Sequence, residues 1–292
     1  MKPSAFRYIR AQTLDQAVTA LAQSAGDGKI IAGGQSLVPM MNFRLINPTV
    51  LIDINRIAGL DRVDEQPDGG LKIGALTRHH TLETSDVVKR LFPILHQAMQ
   101  YVAHLAIRNR GTIGGSITHA DPAAELPLMM RMLEAQITLV SVKGTRTLQA
   151  EEFFLGALTS AVEENEIVTE IYLPAMPTQA GWAFEEVARR AGDFAMAAVG
   201  VILCVTAGKI TEARVGVMGV ADTPLRIDDA ETILFAQRCD ATTLDAVVQA
   251  VLEAIEPSTD LHASADYRRH LIAMLTRRTL RQAWLRATGE HV

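Results

Sequence analysis

Apolar and polar positions along this chain follow three successive rhythms, and each predicts different elements. In the first, Thr13-Leu14-Asp15-Gln16 has the form of a capping box, with Ala17, Val18 and Leu21 on one face at helical spacing. A short helix ending by Gly26 is expected. Residues 29–32 read as a short buried strand running into a Gly-Gly turn, 37–45 as a helical segment, and 50–54, after Pro48, as another strand. The turn-rich stretch 64–70 marks a candidate boundary. In the second rhythm, 71–76 predicts a strand and 87–106 one long amphipathic helix that tolerates Pro93 near its start. A helix over 123–133 and strands over 136–142 and 166–173 complete it. Pro174 and Pro177 flank a linker. In the third, 182–190 reads as a strand, and apolar runs 195–206 and 210–220 around Ala207-Gly208-Lys209 predict an antiparallel hairpin. Helices over 229–236, 243–255 and 265–287 follow, the last two separated by Pro257. The fold class is α+β, with expected domains 1–62, 63–176 and 177–292.

Composition narrows the chemistry. A chain of 292 residues suits two or three domains. A net charge of -5 implies no basic surface, which argues against a nucleic-acid binder. Cys204 and Cys239 are too few for a Cys₄ iron–sulfur or structural zinc site, or for a disulfide framework, so a reducing, cytoplasmic setting is expected. Residues 1–10 contain no apolar signal-peptide core. No apolar run reaches about 18 residues without a charge or helix breaker, so no membrane span is expected.

Two segments carry the candidate chemistry: Ala32-Gly33-Gly34-Gln35-Ser36-Leu37, and Thr112-Ile113-Gly114-Gly115-Ser116 continuing to Asp121-Pro122. Glycine admits positive φ and has no Cβ to block a ligand, and successive free N–H groups form an anion-binding concavity. Two such turns are expected to hold a diphosphate from both sides, which points to a dinucleotide. The remaining polar residues have plainer readings. His79, His80 and His119 read as surface or hydrogen-bonded groups rather than metal ligands. Cys204, inside an apolar run, reads as inert core. Arg189 and Arg190 read as a solvated pair or a subunit contact, and Arg277, Arg278 and Arg281 as the wet face of the last helix. Asp121 and Glu125 suit either cofactor contact or the start of the following helix. No Gly-x-Gly-x-x-Gly follows a first strand, which disfavours a Rossmann NAD enzyme.

These residues resemble the FAD-binding medium subunit of molybdenum hydroxylases, the group of carbon monoxide, nicotine and xanthine dehydrogenases. The likeness runs through 32–37, through 48–54, through 107–127, and through Arg189-Arg190-Ala191-Gly192-Asp193-Phe194-Ala195. It implies a PCMH-type FAD-binding domain of two α+β subdomains, followed by an antiparallel sheet with three helices. It also implies that Ala32, Gly33, Gly34, Gln35, Ser36 and Leu37 bind FAD from one side. Ile107, Thr112, Gly114, Gly115 and Ser116 bind from the other, with Asp121, Glu125 and Asp193 as further contacts and no catalytic or metal-binding residue in this chain. The molybdenum cofactor and [2Fe-2S] clusters would sit on a large and an iron–sulfur small subunit, in a dimer of heterotrimers. Three departures stand out: Gln35 where His, Thr or Asn is frequent, Ser116 where Asn is, and Glu186 where Lys is. A stand-alone FAD oxidoreductase of the same fold, and a nucleotide-sensing or assembly protein without redox turnover, are the competing readings.

Overall fold

The computed structural model describes residues 2–290; positions 1 and 291–292, at the outer ends of the first and third expected domains, lie outside the described residues. The N-terminal unit is a parallel sheet of β1 (Arg7–Arg10), β2 (Gly28–Ile31) and β3 (Val50–Asp53) in the order β1-β3-β2, with α1 (Leu14–Gln23) and α2 (Leu37–Asn42). Thr13 Oγ1 caps α1 by accepting from Gln16 N at 3.2 Å. Gln16 Oε1 accepts from Gln12 N at 2.8 Å, so the reciprocal half of the box reaches one residue further back than its sequence form implies. Ala17, Val18 and Leu21 are buried against Ile52 and Ile54, as their spacing requires. Strand β1 is mostly exposed and has no alternating pattern to announce it.

The middle unit has two antiparallel sheets and a run of short helices. Strands β4 (Val63–Glu65), β5 (Leu71–Gly74), β6 (Gln136–Ser141), β7 (Gly144–Gln149) and β10 (Ile167–Leu173) pair in the order β4-β5-β10-β6-β7, and β8 (Phe154–Gly156) pairs with β9 (Thr159–Ser160). The helices are α3 (His79–Thr84), α4 (Asp86–Leu91), α5 (Pro93–Ala98), α6 (Leu105–Arg108), α7 (Ile113–His119), α8 (Glu125–Met132) and α9 (Ala150–Phe153). Two expectations are corrected here. Residues 64–70 are a hairpin within the sheet, closed by Gln66 N to Gly70 O at 2.9 Å, not a break in it. The long helix expected over 87–106 is three helices. Proline excludes α conformation from the residue before it, and Phe92, at φ -131 and ψ 61, ends α4 so that Pro93 opens α5. The polar strand β7 and the small elements after it carry no periodic signal.

Residues 174–180 contain neither helix nor strand. Beyond them β11 (Gly181–Val187), β12 (Ala197–Thr206), β13 (Lys209–Met218) and β14 (Leu225–Arg226) form an antiparallel sheet in chain order, followed by α10 (Asp228–Leu234), α11 (Ala241–Glu253) and α12 (Ala265–Thr288). The predicted hairpin turns through Ala207 and Gly208, both left-handed at φ 51 and 72, the combination that suits the twist of paired strands. One face of this sheet packs on α10–α12. The other joins the middle unit's core, where Gly200 and Gly216 leave room for Met132 and Leu128 of α8. On α12, Arg277 and Arg278 are ion-paired with Asp245 (2.5 Å) and Glu185 (2.8 Å) rather than simply solvated.

Candidate cofactor-binding cleft

After β2 the chain turns through Gly33 and Gly34, the latter left-handed at φ 73, and then enters α2. The N–H groups of Gly33, Gly34, Gln35 and Ser36 have no acceptor among the described residues. Four consecutive free donors are what an anion-binding concavity requires. The loop is held from behind. Gln35 Nε2 donates to Gly33 O at 3.1 Å, and Asn55 Nδ2 donates to Ala32 O at 2.8 Å. Arg78 Nη2 donates to Asn55 Oδ1 at 2.7 Å, and Arg78 Nη1 donates to Arg110 O. One guanidinium therefore ties the N-terminal unit to the segment ahead of the second Gly-Gly pair. Glycine is required at 33 because a Cβ there would collide with Arg110 O and lie 2.9 Å from Gly111 Cα.

The second Gly-Gly pair differs from the turn the sequence implied. It is the first turn of α7, capped by Thr112, whose Oγ1 accepts from Gly115 N at 3.1 Å. Gly114 N donates to Ala75 O at 2.9 Å and Ser116 N to Thr112 O at 3.0 Å, so this segment offers no nest of free donors. Its two glycines do different jobs. A Cβ on Gly114 would lie 2.6 Å from Ala75 Cβ, so Gly114 permits close docking of α7 on β5's end. A Cβ on Gly115 would meet only Thr112 Oγ1, at 2.9 Å.

Both segments line one cleft of about 610 Å³, within the usual range of cofactor sites. Its wall brings together all the residues singled out in the sequence: Ala32, Gly33, Gly34, Gln35, Ser36 and Leu37 of the first loop, Ile107, Thr112, Gly114, Gly115 and Ser116, and Asp121, Glu125 and Asp193. Asp121 Oδ1 accepts from Ala123 N at 2.9 Å and shapes the turn into α8, which Glu125 opens. Asp193 is exposed, following Gly192, which is left-handed at φ 86 and packs on the His104 ring.

Several lining residues escaped sequence reading. Thr159 and Ser160 come from the unread strand β9, and Phe194, 66% exposed, stands at the wall beside Asp193. His79 is neither a surface nor a hydrogen-bonded group, contrary to expectation: it is buried, and neither ring nitrogen has a partner. Burial pushes its pKa down to about 4. The Thr112 backbone, nearby but outside hydrogen-bonding geometry, opposes this, and the charges of Arg108 and Arg78 add to it. The His79 imidazole is therefore neutral at pH 7.

The charge of the wall is unusual for an anion site. Among the described residues Lys29 is its one Lys or Arg, against six carboxyl side chains: Asp121, Glu125, Glu163, Glu164, Glu166 and Asp193. Glu166 is neutralised by Arg146 at 2.6 Å. An anionic ligand in this cleft would have backbone dipoles rather than cationic side chains to hold it. Among the described residues no group of three His, Cys, Asp or Glu side chains is placed to hold a metal ion. Neither cysteine is an activated thiol. Cys204 is half-buried rather than core and Cys239 is buried, and desolvation raises both, Cys239 to about 11. Among the described residues no helix is long and apolar enough to cross a membrane.

Residues 4–176 match the family model described as the FAD binding domain in molybdopterin dehydrogenase, and residues 182–283 match the CO dehydrogenase flavoprotein C-terminal domain. The 6-hydroxypseudooxynicotine dehydrogenase complex subunit alpha of Paenarthrobacter nicotinovorans is 40% identical over 288 residues, covering 98% of this chain and 97% of the relative. The carbon monoxide dehydrogenase medium chain of Hydrogenophaga pseudoflava is 36% identical, covering 98% and 99%. Among solved structures, carbon monoxide dehydrogenase from Hydrogenophaga pseudoflava superposes with a TM-score of 0.95 at 37% identity, covering 98% of this chain and 99% of that one. Quinoline 2-oxidoreductase from Pseudomonas putida 86 gives 0.93 at 34% identity, covering 99% of each.

Proposed function

Because this chain belongs to the family of FAD-binding medium subunits of molybdenum hydroxylases, we propose that its cleft binds one FAD and that the chain is the electron-transferring flavoprotein subunit of an oxidoreductase complex. The observation that carries the reading is the row of four free N–H donors at Gly33–Ser36, in a loop that lines a cleft whose wall also includes Asp193. The residues fit the cofactor. The diphosphate suits a concavity of backbone dipoles, and the scarcity of lysine and arginine leaves that loop as its principal support. Leu21, Ile30 and Ile54 from the first unit, and Val102, Ala103 and Ile107 from the second, supply apolar wall for aromatic ring systems.

Bound FAD exchanges electrons one or two at a time, and so links one-electron carriers to a two-electron acceptor. The chain's own task is to bind and orient it. The Asn55–Arg78 bridge holds the loop of 32–36 against Arg110–Gly111, and α7 and α8 form the facing wall. Partners of this reading are an iron–sulfur small subunit that delivers electrons and a molybdenum-cofactor large subunit where substrate is oxidised, assembled as a cytoplasmic dimer of heterotrimers. An external acceptor takes the electrons from FAD. The test is to purify the native complex, release the cofactor with acid and weigh it. One FAD per copy of this chain is expected, with molybdenum and iron accompanying the partners and absent from the isolated chain. A colourless chain that cannot be reconstituted with FAD, or stoichiometric molybdenum in the chain alone, would sink the assignment. Reduction of FAD in the isolated chain by an organic substrate would favour a stand-alone oxidoreductase.

A further inference from the structure

Arg268, near the start of α12, is buried, only 5% exposed. A charge taken out of water persists only where its hydrogen bonds are remade inside. Arg268 Nη2 donates to Asp260 Oδ2 at 2.7 Å, and Nη1 donates to two main-chain carbonyls, Met196 O at 2.5 Å and Gly219 O at 2.9 Å. Nε has no partner. Asp260 is itself fixed, because its Oδ1 accepts from His262 N at 2.8 Å and Ala263 N at 2.9 Å, which leaves Oδ2 to the guanidinium.

The two carbonyls stand where the C-terminal sheet meets the cleft. Met196 immediately precedes β12, and the residues just before it include Phe194 and Asp193 of the cleft wall. Gly219 directly follows β13, and its N–H donates to Pro122 O at 2.9 Å, next to Asp121 of the same wall. Ala198 pairs with Met218, so the start of β12 and the end of β13 lie side by side. Gly219 is left-handed at φ 76, and a Cβ there would lie 3.0 Å from Met196 O and 3.2 Å from Ala195 O. Backbone therefore packs on backbone, and the two carbonyl oxygens are drawn to one donor. A planar guanidinium can serve two carbonyls and a carboxylate in one fixed geometry, which a flexible ammonium cannot. Arg269, the next residue of α12, makes a similar pair of bonds, to Ile255 O at 2.9 Å and Leu252 O at 2.5 Å. Those carbonyls lie at the end of α11, which among the described residues contributes nothing to the cleft wall.

We propose that Arg268 is a positioning residue for the cofactor. From the C-terminal domain it sets the backbone of 193–196 and, through Gly219 and Pro122, that of 121–122, and so fixes two parts of the wall against which FAD binds. It does not itself line the cleft. The proposal rests on the reading of the cleft as an FAD site. Removing the guanidinium leaves two buried carbonyls without their donor and frees both segments together.

The experiment strips FAD from the native complex and titrates it back, following flavin fluorescence at a temperature below the onset of unfolding of every variant. In Arg268→Met the FAD dissociation constant rises at least about tenfold, the equivalent of one lost hydrogen bond to a charged group. The visible circular dichroism bands of the flavin that does bind change shape, because they report the wall around the ring. Arg268→Lys, which keeps the charge without the planar fork, falls between. Arg269→Met loses stability but keeps the wild-type constant and spectrum, which separates positioning from general destabilisation. A wild-type constant and spectrum in folded Arg268→Met, or a rise matched by Arg269→Met, would overturn the proposal and leave the FAD site intact. If Arg268→Met does not fold, Arg268→Lys decides, and wild-type values there overturn it. A wild-type complex that takes up no FAD overturns the underlying reading instead.

Discussion

Acidification should destabilise this protein through one histidine. His79, at the start of α3, is 6% exposed, and both its ring nitrogens lack partners. In the unfolded chain its pKa is that of an ordinary imidazole, 6.5; in the fold burial holds it at about 4. Between those values the unfolded state binds a proton that the folded state does not, so stability falls as pH drops through that window and is fully restored above 6.5. At ~1.4 kcal/mol per pH unit the whole window is worth about 3 kcal/mol, of which about 2.5 kcal/mol is lost by pH 4.5. That is a large share of the ~5–15 kcal/mol that separates a folded domain from its unfolded chain. The assay is urea unfolding of the FAD-free chain, followed by circular dichroism at pH 4.5 and 7.5. The same measurement on His79→Gln, which stays neutral throughout, isolates the residue from carboxylates that titrate in both proteins. Stability of the wild type should fall between the two pH values by about 2.5 kcal/mol more than that of the variant. Equal losses would show that the imidazole is solvated or protonated in the fold and would refute the argument.

The two glycines that open α7 should separate under substitution. Gly115→Val is expected to fold with near-native circular dichroism but purify with little FAD, whereas Gly114→Val, whose Cβ would strike Ala75, should lose ~1–3 kcal/mol of stability or more, read by thermal unfolding. Similar FAD content and stability in both would erase the distinction. Arg78→Ala leaves Asn55 Oδ1 and Arg110 O without their donor, and should cost ~1–3 kcal/mol and weaken FAD binding as the first loop loosens. An FAD dissociation constant unchanged in that variant would dissociate the bridge from cofactor binding.

Much of this molecule is written locally. The face made by Ala17, Val18 and Leu21, the paired apolar runs around Ala207-Gly208 and the three closing helices follow from periods that each segment carries by itself. The Gly33-Gly34 loop was legible for the same reason, since a glycine pair between a strand and a helix marks close backbone approach wherever it lies. Elements without an internal period were not legible. Strands β1 and β7 are exposed edges, stabilised by the strand beside them rather than by a buried face of their own. The break at Phe92 was available from Pro93, but the apolar positions on both sides share a helical period that continues through it.

What tertiary structure alone decided is the chemistry of the wall. The sequence places two Gly-Gly pairs, yet only folding shows that the N–H groups at 33–36 are free while Gly114 and Gly115 spend theirs on Ala75 and Thr112. A hydrogen-bond donor's availability depends on every acceptor nearby, most of them distant in sequence. The same holds for charge. His79, Glu125 and Glu186 are ordinary letters in the chain, and it is burial on folding that moves their titration away from ordinary values. Local pattern determined the elements and the glycine loop between β2 and α2; long-range packing determined which atoms remain unsatisfied.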